Sequence, residues 1–439
     1  MFNKIKFING FIFLFLFCFA EISYCSLNKT IVASVKNNNV NSVRDYLRKG
    51  GNPNIKDGNG NNILLTAVNM KNSEIAELLI KYGANVNVSY NMSMNSLMLA
   101  VSNNMESTAE LIINHNVDIN FKLPNGTTAL MMASGNGMID IVKKMVKHKA
   151  DIKAKNVDGM TASSFALKGG HCEIVKYFNK LGIPPETLGE AVVTSNFRLV
   201  EQFIAGGSDI NEKDLSGKQP LVLAFDNKDY NMAAFLMSKG ADINVYDDNG
   251  VTPLISASSF DNTDLIKLAI AAGADVNSCD INGITPLMYA VYKSDYDTVK
   301  LLVNNKADIN VVSNNGMTPL SIAVRKGKIK IVNFLIKNGA LINKKNDNSH
   351  RVLNIAVSAD DINMVKFLIE KGARVNVKDS AGKTPLIIAA SKRYLKTAKI
   401  LLDNGARVHS TDSAGNTALY YAERNKDAAM IELLKEYQK

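Results

Sequence analysis

The sequence predicts an all-α solenoid of about 13 helix-pair units carrying β-hairpin fingers. Three observations predict it: a fixed period, a small residue at a fixed place inside that period, and helical apolar spacing on both sides of that residue. The segment Gly-Ala-Asp-Ile-Asn at Gly240–Asn244 returns in variants at Gly83–Asn87, Gly273–Asn277 and Gly372–Asn376. Its first position falls at Gly50, Gly83, Asn116, Lys149, Gly182, Gly207, Gly240, Gly273, Lys306, Gly339, Gly372 and Gly405. Every step is 33 residues except Gly182 to Gly207, which is 25. An Ala lies 16 residues before each position from Gly83 onward, as at Ala67, Ala257 and Ala389; only the first unit differs, with Ser34.

Each element follows from local chemistry. The strongest units read Thr252-Pro253-Leu254, Thr285-Pro286-Leu287, Thr318-Pro319-Leu320 and Thr384-Pro385-Leu386. Thr suits a helix N-cap, Pro suits the first turn, and the Ala that follows lets a second helix approach closely. A second apolar stripe, such as Ile331, Val332, Leu335 and Ile336, gives the partner helix of the pair. Gly273 and its equivalents end that helix, where a left-handed backbone suits Gly. Between pairs, Asp247–Gly250 and Asp379–Gly382 carry the turn chemistry of a hairpin finger.

The period of 33, the Thr-Pro-Leu-x-x-Ala segment, the Gly-Ala-Asp-x-Asn segment and Gly170-His171-Cys172-Glu173-Ile174-Val175 together resemble the ankyrin repeat family. The resemblance runs from Leu27 to the C-terminus as thirteen units. It implies a non-catalytic scaffold that binds proteins on its finger tips and on the concave face of its first helices. One departure is consistent. The family often has His two residues before the Ala, and here that place holds residues such as Met98, Met288, Asn354 and Tyr420.

The predicted organisation is 1–25 as a signal peptide, 26–182 as units one to five, 183–207 as a shortened unit lacking the finger, and 208–439 as units seven to thirteen. Lys4 and Lys6 precede an unbroken apolar run from Phe11 to Ala20, which is about half of what a bilayer span needs. Small residues permit cleavage after Ala20 or after Cys25; a retained anchor, a buried N-terminal helix and acylation of Cys25 are the alternatives. The expected location is therefore the periplasm and cell envelope, or the exterior. Membrane contact would come only through an uncleaved signal or a lipid anchor.

With 439 residues, 46% hydrophobic and 21% charged, the chain has ample material for a core. Its four Cys are too few for a disulfide-stapled scaffold. Cys172, expected near the start of a second helix and buried, lies four units from Cys279, which is expected in a finger linker. The pair is too far apart for a bridge or a shared metal. The mature His residues fall in five different units, and no phosphate loop, Gly-x-Ser-x-Gly or His-Glu-x-x-His occurs. No catalytic residue, cofactor, metal or small-molecule substrate is expected. Lys and Arg are spread over all units among Asp and Glu, which disfavours nucleic acid.

Position in the repeat nominates a partner surface. Tyr246, Val251, Phe260, Ile281, Ile284, Tyr292 and Met317 place apolar side chains on fingers and first-helix ends. Lys293, Arg325, Lys326, Lys345, Lys383 and Lys392 flank them. The expectation is a protein partner, acidic, gripped by an apolar centre with a basic flank. The competing readings are that Phe260 and Met317 pack between neighbouring units, and that the cations form a solvated face.

Overall fold

A computed structural model describes residues 30–90, 94–260, 262–343 and 351–438. The expected signal peptide, its cleavage sites and Lys345 lie outside the described residues. Among the described residues thirteen helix pairs follow one another, from 30–36 with Val40–Arg48 to Ala418–Arg424 with Ala428–Glu436. They gather into two compact bodies. One runs to Phe203 and includes Asp214–Ser216; the other comprises Ile204–Lys213 and Gly217–Lys439. Among the described residues no helix is long and apolar enough to cross a membrane.

Each pair forms for the reasons its sequence supplies. In the unit of Pro286–Lys293, the Thr285 side chain accepts the Met288 N–H and Pro286 occupies the first turn. Thr252, Thr318 and Thr384 repeat that cap, each stabilising its helix by about 1 kcal/mol. First helices are buried nearly all round, as in Pro385–Ala390, because they lie between neighbouring first helices and their own second helix. Second helices bury a single stripe, such as Ile331, Val332 and Leu335, as expected for a surface helix. The eleven period-marking Ala residues, and Ala422 at the same place in the last unit, are at most 1% exposed, so any larger side chain there would push two helices apart. At the second-helix ends Gly240 and Gly273 have φ of 95° and 85°. Asn116, Lys149 and Lys306 take the same left-handed backbone at φ of 56–68°, at a cost of roughly 1 kcal/mol each.

The fingers are turns more than hairpins. Among the described residues a two-residue ladder pairs Ser89–Tyr90 with Met94–Asn95, and isolated bridges join Lys56 to Asn62, Lys122 to Thr128 and Thr411 to Thr417. A side chain does the work of a ladder elsewhere. Asp247 Oδ1 accepts the N–H groups of Asn249 and Val251 at 2.8 Å each, while the Asp247 N–H donates to the Val251 carbonyl. Asp280, Asp379 and Asp412 hold their fingers in the same way. Successive tips are then tied together. The Ile281 N–H donates to the Asn249 carbonyl at 2.9 Å, that of Asn314 to Asn282 at 2.9 Å, and that of Ser413 to Ala381 at 3.0 Å. This close approach explains the finger Gly: a Cβ on Gly382 would stand 2.6 Å from the Ser413 nitrogen.

The shortened unit replaces its finger with a carboxylate. Thr187 caps Leu188–Val193, and Glu190 in that first turn accepts the Glu186 N–H at 2.8 Å and the Ser164 hydroxyl at 3.3 Å. Glu190 is 1% exposed, and burial pushes its pKa above the usual carboxylate range.

The Asn of the repeating segment forms a rung to the next unit. Asn376 Nδ2 donates to the Gly405 carbonyl at 2.9 Å, and its Oδ1 accepts the Arg407 N–H at 2.8 Å. Asn54, Asn87 and Asn120 make this double bond in the first body, as do Asn244, Asn277, Asn310 and Asn343 in the second. Only an amide offers donor and acceptor on one planar head at that reach. The same place holds Lys153 and Glu186 on either side of the Gly182 mark, and His409 in the last unit.

These contacts set three measurable outcomes. Asn376→Ala should lower stability by about 1–2 kcal/mol, since two exposed backbone groups lose their partners to water. Asn376→Asp should lower it at least as much, because an acceptor then faces the Gly405 carbonyl; a urea midpoint unchanged in both variants would refute the rung. Gly382→Ala should cost more than about 2 kcal/mol from strain plus clash, and Gly405→Ala only about 1 kcal/mol from strain. Equal losses would show that tip contact is unimportant. Finally, Tyr289 donates to Asp280 Oδ2 at 3.0 Å, and burial, then this bond, push its pKa up to about 12. The folded state thus holds the proton more tightly than the unfolded chain, so this contribution is whole below pH ~10 and fades as pH rises through about 12. Ultraviolet titration of Tyr289→Phe should lose absorbance change near pH 12; loss near pH 10 would contradict the bond.

Candidate protein-binding surface

The nominated residues fall into two rows at opposite ends of the first helices. The helix Pro253–Ser259 has seven residues. Val251, before its Thr252 cap, and Phe260, its C-cap, therefore stand roughly 13 Å apart.

The finger row holds Tyr246, Val251, Ile281, Ile284 and Met317. Tyr246 is 58% and Ile281 61% exposed. Val251, Ile284 and Met317 are half-buried and help close their own fingers, Met317 through its carbonyl on the Ser313 N–H at 2.9 Å. Between the two exposed side chains runs a groove of about 310 Å³ lined by Tyr246, Gly250, Thr252, Asp275, Cys279 and Ile281. Cys279 is exposed there, as expected of a finger linker. Cys172, expected to be buried, is half-buried, because it opens its helix Cys172–Lys180 at the surface.

The helix-end row holds Phe260, Tyr292, Lys293, Arg325 and Lys326. Phe260 is 43% and Tyr292 56% exposed, so Phe260 is not a spacer sealed between units, whereas Met317 is partly one. Lys326 places its ammonium 3.8 Å from the Tyr292 ring centroid, and Lys228 covers Phe260 at 5.1 Å. Lys330 sits 3.8 Å from the Tyr296 ring nearby. Cations and aromatics are thus interleaved rather than arranged as centre and flank. Lys293, Arg325 and Lys326 are exposed, and no ion pair engages them among the described residues. Lys383 and Lys392 stand apart from this cluster. Lys383 is half-buried with its ammonium 4.9 Å from the Tyr421 ring, and Lys392 donates to the Ser358 carbonyl at 2.8 Å.

Two features escaped the sequence reading. Several of the cation–aromatic pairs join residues close to one period apart: Lys213 with Tyr246, Lys228 with Phe260, Tyr292 with Lys326. That spacing was available as a signal. The second is charge. Residues 240–285 contain seven Asp against the single Lys267, in a chain of net charge +10. Five of these, Asp242, Asp247, Asp248, Asp275 and Asp280, lie on the fingers, which makes the finger row acidic, while Asp261 and Asp264 follow Phe260 in sequence and the cations of the helix-end row gather around Tyr292. In the first body a further groove of about 450 Å³ lies among Arg44, Glu74, Leu78, Lys81, Leu111 and His115, with Arg44 and Glu74 paired at 2.8 Å.

Comparison with known proteins follows the repeat. No curated protein matches the sequence. Among solved structures, one match is the crystal structure of the ankyrin repeat domain of Bcl-3, described as a unique member of the IkappaB protein family. It is 23% identical, covers 51% of this chain and 100% of its own, and superposes with a TM-score of 0.46. A family model described as ankyrin repeats in three copies matches residues 30–122, 97–187, 188–280, 257–346 and 353–439. The chain belongs to the ankyrin repeat family.

Proposed function

We propose that this chain is a non-catalytic scaffold, exported from the cytoplasm, that binds a protein partner on its fingers and first-helix ends. The observation that carries this reading is the exposure of Tyr246, Phe260, Ile281 and Tyr292 within two neighbouring units, whereas other exposed large apolar side chains, such as Met70, Val157 and Leu341, are spread along the sequence. Exposed aromatic and aliphatic groups gathered within two neighbouring units lose water favourably only when a partner covers them. The cations Lys293, Arg325 and Lys326 around Tyr292 add an attraction for acidic residues of that partner. The fingers and helices are held by their own hydrogen bonds, so binding orders little that is not already ordered.

Export rests on the basic start and short apolar run of residues 1–25. In the envelope the scaffold would bind or protect an exported partner. The second reading is an effector-like protein released to bind host or neighbouring-cell proteins, which the same leader also serves. Fractionation separates them: retention with the envelope supports the first, and recovery from the culture medium supports the second.

The binding test uses Ile281 and Tyr292 rather than the half-buried Ile284, whose loss would also disturb a finger. Tyr292→Ser with Ile281→Ser should abolish capture of the partner that the parent chain retains from an envelope extract, with an unchanged thermal melt. Capture that survives the double substitution would defeat the reading of this surface.

A further inference from the structure

The finger row is acidic, and this assigns a guest to the finger groove. We propose that the groove between the Tyr246 and Ile281 fingers receives a lysine or arginine side chain presented by the protein partner. The proposal rests on the scaffold reading and adds the chemistry of one subsite.

The walls come first. Tyr246 and Ile281 are each more than half exposed, and the groove of about 310 Å³ between them has Gly250 and Thr252 among its lining. Such walls suit a long aliphatic stem, and the Tyr246 ring also attracts a cation. The head of the guest is set by what surrounds those walls. Asp275 and Asp280 line the groove, and Asp242, Asp247 and Asp248 sit on the same finger as Tyr246. Asp280 is already engaged, with one oxygen on two backbone N–H groups and the other on the Tyr289 hydroxyl. Asp275 is exposed, accepts the Asn277 N–H at 2.9 Å, and enters no ion pair among the described residues. A carboxylate or phosphate guest would meet like charge here, whereas an ammonium or guanidinium completes the site.

The chain itself shows the arrangement. Lys213 holds its ammonium 5.4 Å from the Tyr246 ring centroid and 2.7 Å from Asp248 Oδ1. An aromatic ring plus an exposed Asp thus already holds one lysine of this protein. The groove offers Tyr246 with Asp275 for a second cation. With basic residues around Tyr292, the surface prefers a partner whose positive end meets the fingers and whose acidic end meets the helix ends. That polarity fixes the direction in which the partner lies across the units.

Cys279 lines the groove and can report on it. The full chain would be treated with methanethiosulfonate reagents bearing either a trimethylammonium or a sulfonate group. Peptide mass mapping separates Cys279 from the other Cys residues. The ratio of the two rates cancels the ionisation of the thiol itself, so it reads the local field. At low salt the cationic preference at Cys279 should exceed that of free cysteine roughly tenfold. It should collapse in about 0.5 M salt. It should also collapse in the Asp242→Asn, Asp248→Asn, Asp275→Asn triple variant, whose amides preserve the backbone hydrogen bonds.

Occupancy is read by protection. The capped peptide Ser-Leu-Arg-Leu-Ser at millimolar concentration should slow alkylation of Cys279 by N-ethylmaleimide about threefold or more, and its Glu-for-Arg counterpart should not. No cationic preference, protection by neither peptide, or equal protection by both would overturn the proposal. Those results would leave the scaffold reading standing, because capture lost on substituting Tyr292 and Ile281 is measured independently.

Discussion

Everything in this protein depends on nearest-neighbour burial. A first helix such as Pro286–Lys293 is too short to persist in water, where isolated helices below a dozen residues are marginal. It exists because Leu287, Met288, Ala290 and Val291 are fully sealed by adjacent helices. The repeat then has to settle its backbone polar groups at each junction, and many units do so in the same way. A Thr closes the helix start, a finger Asp closes the turn, and an Asn amide joins one unit to the next.

This economy decides where function resides. Helix faces and caps are committed to neighbours, so their residues vary little from unit to unit. Finger tips and helix ends touch solvent and are the places where side chains change character. There Tyr246 and Ile281 line a groove with Asp275 and Asp280, while Tyr292 stands under Lys326. One scaffold geometry carries two kinds of chemical edge, and a partner is selected by matching both.

Some departures from the repeat have local physical reasons. In the shortened unit, Glu190 turns back from its own helix to take the N–H of Glu186, so a missing finger leaves no open turn. Asn354 occupies the place where the family often has His; it is 1% exposed and its amide has no hydrogen-bond partner among the described residues. Such a group costs about 1–3 kcal/mol when buried unpaired. Unit quality therefore differs along the second body.

The period, the caps and the apolar spacing were enough to place thirteen helix pairs, because each is a local rule repeated many times and errors do not accumulate. The same rules marked Tyr246, Phe260, Ile281 and Tyr292 as surface residues, since their positions in the unit fall outside the buried stripes. Tertiary structure decided what those residues touch. Nothing local distinguishes half-buried Ile284 from exposed Ile281, places Lys326 over Tyr292, or takes Lys383 and Lys392 away from that cluster. Those outcomes depend on contacts about one period away in sequence, where a ring in one unit meets an ammonium in the next. The bonding role of the repeating Asn was hidden for the same reason: its partners exist only once the following unit has stacked.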